Sequence, residues 1–234
     1  HSYPVPQILN NYKFFIPDTF AAGPKCYPEK FTDFQKFNLS MTELNAKNTT
    51  KKINFKDAFN FIKNAPSLGL TFESQVKIAQ QLFLEKLDSK KTTRRRTFQA
   101  KISFDLFMSS LKKNLPDISF FFTNHVASSM HRYWPALFPL DYKDLDYNEE
   151  WINDWKGEIP YAIEEVEREL SHLVKFVQKN KKYKLLIVSS MGQAAVQEKI
   201  AAKTQVVIVN IKKFMNSLGF IDHTWLKKPA MVPL

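Results

Sequence analysis

Two continuous apolar runs bounded by turn-forming residues constrain the fold of this chain most. ISFFFTNHV occupies residues 118–126, and YKLLIVSS occupies residues 183–190. Short runs of β-branched and aromatic residues are typical of strands that are buried on both faces, as in a parallel sheet. A third run, QVVIVN, follows the same pattern at residues 205–210. The sequence therefore predicts three strands in its second half.

Helical patterns lie around these runs. Residues 74–87 and 104–114 repeat apolar residues at helical spacing, and a longer apolar stripe follows Pro160, with acidic residues near its start. Helices that alternate with strands predict an α/β fold, with a mostly parallel sheet flanked by helices. Residues 1–50 are rich in proline and aromatic residues near their start, and we expect them to form an irregular wrapping segment. We expect residues 1–234 to form a single α/β domain.

Composition narrows the classes of function. Lysine and arginine number 34 against 23 acidic residues, which gives a net charge of +11 and favours anionic partners. The chain has only five glycines and neither of the common phosphate-binding glycine motifs, which disfavours nucleotide binding by those routes. Its single cysteine, Cys26, excludes an intrachain disulfide and a cysteine-based zinc cluster. We expect no membrane span and a cytoplasmic location, because neither a long apolar segment nor a signal-peptide pattern is visible.

The most basic stretch of the chain is KKTTRRRTFQ, residues 90–99. It has two interpretations. The favoured one is a solvated loop, and the other is a surface that grips an anion.

Polar side chains follow the first two predicted strands at their carboxyl ends, where open α/β sheets bind ligands. Asn124 and His125 follow the first strand, and the stretch from Ser190 to Gln193 follows the second. If the strands are neighbours, both groups line one crevice. His125 and His131 lie six residues apart, which is not the spacing of a helical zinc site, and both could instead be structural. The candidate substrate-binding residues are Asn124, His125, His131, Arg132, Ser190 and Gln193.

NHVASSMHRYWP, residues 124–135, resembles a segment of the alkaline phosphatase superfamily, in its type I phosphodiesterase and nucleotide pyrophosphatase branch. LLIVSSMGQ, residues 185–193, resembles the strand of that family that leads into its second metal motif, and the opening of the chain resembles the segment after an early strand. The resemblance implies that this chain is part of a larger fold of that superfamily, with a two-zinc hydrolase site.

The chain departs from this pattern at the metal positions. Ala127 stands where the family has a zinc-binding aspartate, so that His131 alone remains of that pair. The aspartate and histidine of the second motif are also replaced. We therefore expect no cofactor, and zinc only if ligands come from outside this chain, with His131 as the one candidate ligand.

These observations predict a phosphodiesterase-like domain that binds an anionic phosphate or sulfate ester, or an anionic glycan, and that has incomplete machinery for metal-dependent hydrolysis. The alternative is a non-enzymatic basic protein that binds a polyanion, either an acidic glycan or a nucleic acid, with Arg94–Arg96 as the anchor. Nucleic acid is the weaker of these partners, because the aromatic pattern of RNA-binding sheets is absent. If the chain is an enzyme, the resemblance implies a phosphoric or sulfuric ester hydrolase.

Overall fold

The protein is predominantly helical in the part described by a computed structural model, which covers residues 12–19, 21, 23–45, 64–143, 147–189, 192–195 and 208–219. Residues 64–68 are also helical, and short 3₁₀ segments lie at Glu29–Phe31, Ser89–Arg94 and Pro139–Asp141. The α-helices are α1 (Thr32–Asn45), α2 (Phe72–Leu87), α3 (Arg95–Asn114), α4 (His125–Leu137), α5 (Glu149–Trp155), α6 (Glu158–Lys179) and α7 (Ile211–Ser217).

The prediction of an α/β fold with a mostly parallel sheet is wrong for these residues. Residues 118–124 and 183–189 form no strand, and the one β-bridge in the described part of the chain joins Phe15 and Tyr27. Residues 208–210 are not a strand either, while 205–207 lie outside the described ranges. A strand needs a hydrogen-bonding neighbour, which a local apolar pattern does not specify.

The chain divides into two compact units. The first consists of residues 1–65 and 199–234, and in its described part Phe31 and Phe34 at the start of α1 are almost fully buried. The second consists of residues 66–198 and contains α2 to α6. Every residue of the candidate site belongs to the second unit.

Helices α3 and α6 of the second unit run in the same direction and are joined by ion pairs. Arg94, just before α3, binds Glu158 through two nitrogens at 2.8–3.0 Å. One heptad further along both helices, Lys101 Nζ lies 2.9 Å from Glu165 Oε1. The equal spacing on the two helices fixes their register, because a slip by one residue would separate both pairs.

The face that α6 turns inward is rich in carboxylates. Glu165 binds Lys101 and also Arg168, at 3.3 Å. Glu169 is 5% exposed, and its Oε1 has no hydrogen-bond partner. Burial, together with the charges of Glu165 and Asp105, raises the pKa of Glu169 to about 8, although Lys101 opposes the shift. Glu169 is therefore mostly protonated at neutral pH.

Several apolar residues of α2 and α6 are exposed to solvent, whereas polar residues of the same helices are buried. On α2, Leu82 and Phe83 are exposed whereas Ser74 and Gln81 are buried. Gln81 donates to the Lys91 carbonyl at 2.7 Å, which explains why a polar residue is buried there. The helices were predicted correctly, but their apolar stripes do not mark the buried faces.

The basic stretch at residues 90–99 is not a solvated loop. Its first part forms a 3₁₀ segment and the remainder begins α3. Arg94 and Arg95 each bind one carboxylate, Glu158 and Glu85 respectively, through two nitrogens. These acidic partners lie outside the stretch itself, so that local sequence could not reveal them.

No α-helix among the described residues has the length and apolar character needed to cross a membrane.

Gly69 allows α3 to approach the turn before α2. Its φ angle is +107°, and a Cβ atom built at this position would lie 2.2 Å from both Cβ and Oγ of Ser109. A side chain here would therefore combine backbone strain with a steric clash.

We expect Gly69→Ala to lower the free energy of unfolding by at least about 2 kcal/mol, because alanine resists positive φ and Ser109 would have to move. Gly157→Ala is the control, since nothing lies within 4 Å of a Cβ atom there and its φ is −86°. Urea titration of both variants measures the difference. Equal stabilities would show that the close approach to Ser109 is readily relieved.

We expect Lys101→Met to lower the free energy of unfolding by about 3 kcal/mol, because it leaves the buried Glu165 carboxylate without the ammonium group. Lys77→Met is the matched control: Lys77 binds Glu73 on the surface of α2, and its loss is expected to change stability by less than about 0.5 kcal/mol. Chemical denaturation of both variants tests this. A similar small loss for the two variants would contradict the importance of the α3–α6 pair.

We expect the free energy of unfolding to fall as the pH rises from 5 to 9, because Glu169 has a higher pKa folded than unfolded and the folded state then holds the extra proton. The limiting slope is about 1.4 kcal/mol per pH unit below pH 8, and the loss is complete above it. Glu169→Gln should remove this contribution and exceed the wild type in stability at pH 9. Glu167→Gln, exposed on the same helix, is the control, and identical slopes for both variants would reject the assignment.

Candidate functional site

Helix α4 and its N-cap residue carry four of the predicted site residues. The helix follows the non-helical segment 118–124. Asn124 occupies the N-cap position, but its exposed side chain makes no capping hydrogen bond. His125 is the first residue of the helix, and His131 and Arg132 lie exposed in its second half. Consecutive helical residues point about 100° apart, so His131 and Arg132 address neighbouring sectors of the surface.

His125 is buried and both of its ring nitrogens are engaged. Nδ1 lies 2.6 Å from the Thr123 hydroxyl, and Nε2 lies 3.1 Å from the carbonyl oxygen of Ala162 on α6. Because a carbonyl only accepts, Nε2 carries the proton and the Thr123 hydroxyl donates to Nδ1. Burial lowers the pKa of His125, although the Ala162 carbonyl and Glu165 oppose the shift. His125 thus joins α4 to α6, and neither of its ring nitrogens is free to bind a ligand.

Gln193 meets His131 across 62 residues of sequence. Gln193 Nε2 lies 2.9 Å from His131 Nδ1. An amide nitrogen only donates, so Nδ1 accepts and the neutral imidazole carries its proton on Nε2. Two of the predicted substrate-binding residues, His131 and Gln193, are therefore in contact, although the described residues contain no sheet. Ser190 lies outside the described residues.

A second arginine, Arg96, lies in the first turn of α3, close enough to be influenced by the charge of Arg132. Burial lowers the pKa of Arg96, and the positive charge of Arg132 lowers it further, while Tyr133 and Glu158 oppose the shift. Arg96 Nη2 donates to Thr93 Oγ1 at 2.8 Å, but its buried Nε has no hydrogen-bond partner. Two guanidinium groups are thus held near each other at the junction of α3 and α4.

Tyr133 holds this junction in place. It is 8% exposed, its ring stacks on Trp155 with centroids 4.9 Å apart, and its hydroxyl contacts the Thr93 hydroxyl. The same Thr93 oxygen accepts from Arg96. The position of Arg96 is therefore set by packed neighbours.

The arginines of this unit differ in whether an acidic side chain lies within ion-pair distance. Arg94, Arg95 and Arg168 each form an ion pair with a glutamate. In the described ranges neither Arg96 nor Arg132 has a carboxylate within ion-pair distance. Asp141 accepts a hydrogen bond from Trp134 Nε1 at 2.9 Å. In the described ranges Arg96 and Arg132 thus lack the close carboxylate partner that the other three arginines have, although the charge of Glu158 still acts on Arg96.

A metal centre has no support in this geometry. The described residues contain no group of three or more histidine, cysteine, aspartate or glutamate side chains that could hold a metal ion. A protein zinc site needs three or four such ligands, and His131 supplies one.

Sequence reasoning identified His131, Arg132 and Gln193 but did not place Arg96 or Tyr133 in the site. The three consecutive arginines could have indicated an anion site, because three adjacent positive charges need three separate anionic partners. Only the tertiary fold reveals that Arg96 lacks the carboxylate partner that Arg94 and Arg95 possess.

Searches against protein-family models, curated proteins and solved structures found no match to this chain.

Proposed function

We propose that this chain binds a small phosphate or sulfate ester at the surface formed by Arg96, His131, Arg132 and Gln193, which we call the anion surface. The observation that carries the proposal is that Arg96 and Arg132 have no ion-pair partner among the described residues, whereas Arg94, Arg95 and Arg168 each have one. Burial lowers the pKa of Arg96, and the charge of Arg132 lowers it further. The proposal concerns binding alone and assigns no hydrolytic step.

Electrostatics supports an anion at this place. A half-buried guanidinium group beside a second one raises the free energy of the empty site, through lost hydration and like-charge repulsion. An anion beside the two groups would offset both costs.

The donors of the site suit a tetrahedral oxyanion. Each guanidinium group presents a planar fork that can donate two parallel hydrogen bonds to phosphate or sulfate oxygens. His131 adds the Nε2–H of its neutral tautomer, because Gln193 occupies Nδ1. The ester group would extend over the exposed surface of α4.

We expect Arg132→Gln and Arg96→Gln each to weaken binding of phosphate, and of an aryl phosphate ester, by at least tenfold, or about 1.4 kcal/mol. Arg132→Lys should fall between Arg132→Gln and wild type, because it keeps the charge and loses the fork. Isothermal titration calorimetry measures the affinities, and a melting curve of each variant verifies folding.

Lys113→Gln is the matched control, since it removes the same charge from an exposed position on α3, about 25 Å from Arg96 at 1.5 Å per residue. Equal losses for Lys113→Gln and Arg132→Gln, with a steep salt dependence, would replace the site by diffuse polyanion binding over the basic surface. Titration with and without a chelator tests zinc, and binding abolished by the chelator would contradict the proposal.

A further inference from the structure

Two non-helical segments of the second unit, residues 118–122 and 184–188, expose apolar side chains that the anion surface does not explain. Phe121 points inward and packs against Phe104 and Phe107, with ring centroids 5.4 and 5.2 Å apart. The residues that point outward are 63% to 89% exposed. They are Ile118, Phe120, Phe122, Leu186, Ile187 and Val188.

The backbones of these segments are also unpaired. No N–H or C=O group of residues 118–122 or 184–188 forms a backbone hydrogen bond within the part of the chain that the structure describes. Elsewhere in the unit, helices satisfy these groups internally. Along residues 118–122 exposed and partly buried side chains alternate, as they do in a strand, and an apolar segment with unpaired backbone groups is a template for addition of a further strand.

The two segments start side by side. The Tyr183 hydroxyl donates to the Pro116 carbonyl at 2.8 Å, and the Tyr183 ring packs on Phe176 of α6 at 5.3 Å. Further along, the contact between His131 and Gln193 joins the chain beyond each segment. These two contacts connect the parts of the chain that precede and follow the segments.

Positive charges lie close in sequence to the start of both segments. Exposed lysines lie before the first segment, and before and at the start of the second, with Asp117 as the neighbouring acid. These lysines are Lys112, Lys113, Lys181, Lys182 and Lys184.

We propose that residues 118–122 and 184–188 bind an extended apolar segment of another polypeptide, which adds as a β-strand and carries acidic residues beside its apolar run. The apolar side chains supply the contact area, the unpaired backbone supplies the hydrogen bonds, and the lysines select acidic flanks.

The same observations disfavour two other occupants. A lipid surface would cover the apolar side chains, but hydrocarbon cannot satisfy the unpaired N–H and C=O groups. A second copy of this chain would offer few acidic residues to these lysines, because Asp117 is the one acid beside the same segments.

The test uses the full chain and short synthetic peptides, in which a run of valine, isoleucine and threonine lies between aspartates. We expect peptide binding to slow amide hydrogen exchange at residues 118–122 and 184–188 by at least about tenfold, because those amides become hydrogen-bonded. The same peptide with alternate N-methylated amides should give no protection. Lysine-flanked peptides should bind more weakly than aspartate-flanked ones.

Variants of the chain provide a second measurement. Phe120→Asp should weaken peptide binding by at least tenfold without unfolding the protein, since Phe120 is 89% exposed. Leu140→Asp is the matched control, since Leu140 is 97% exposed in a 3₁₀ segment outside the surface, and it should leave peptide affinity unchanged. Neither variant should alter phosphate binding, so that this proposal and the anion surface succeed or fail separately.

Absence of protection with every aspartate-flanked peptide would overturn the proposal, as would equal protection by the N-methylated form. Protection by phosphatidylserine vesicles but not by peptide would assign the surface to lipid. Protection that rises with protein concentration in the absence of peptide would assign it to a second copy of this chain.

Discussion

The parallel register of α3 and α6 is the constraint on which the second unit depends. Arg94 with Glu158, and Lys101 with Glu165, repeat one heptad apart on both helices, and each pair spans 64 residues of sequence. Arg96 lies between Arg94 and Lys101, so the register that places those two residues against α6 also directs Arg96 toward α4. His125 then ties α4 to α6 through the Ala162 carbonyl. The anion surface is a product of this three-helix arrangement.

Sequence patterns predicted α2 and α6 but missed the start of α3 and the whole of α4, and they predicted the sheet wrongly. Helix formation depends on hydrogen bonds within one segment, so residues 74–87 and those after Pro160 carry enough information by themselves. A strand depends on a neighbour elsewhere in the chain. Residues 118–122 were predicted as part of a strand, yet they form none and have no described backbone partner. The burial of Gln81 and Glu169 likewise follows from partners on other elements.

The candidate site was predictable in part. His131, Arg132 and Gln193 carry the residue types that bind anions, and the structure brings His131 and Gln193 into contact. His125 looked equivalent in sequence, but both its nitrogens serve the junction between α4 and α6. The role of Arg96 emerges only from the absence of a nearby carboxylate. The resemblance to the alkaline phosphatase superfamily stays a prediction, because no comparison tests it.

The two ion pairs between α3 and α6 join residues that are equally far apart in the sequence, and this has a consequence for cooperativity. Whichever pair forms first must close a loop of 64 residues, which costs about 4 kcal/mol of chain entropy on a simple polymer estimate. The other pair shares that loop, so its formation adds little further cost. The interface should therefore assemble and dissociate as a whole, because a state with half of its pairs bears the full entropic cost and only half of the attraction.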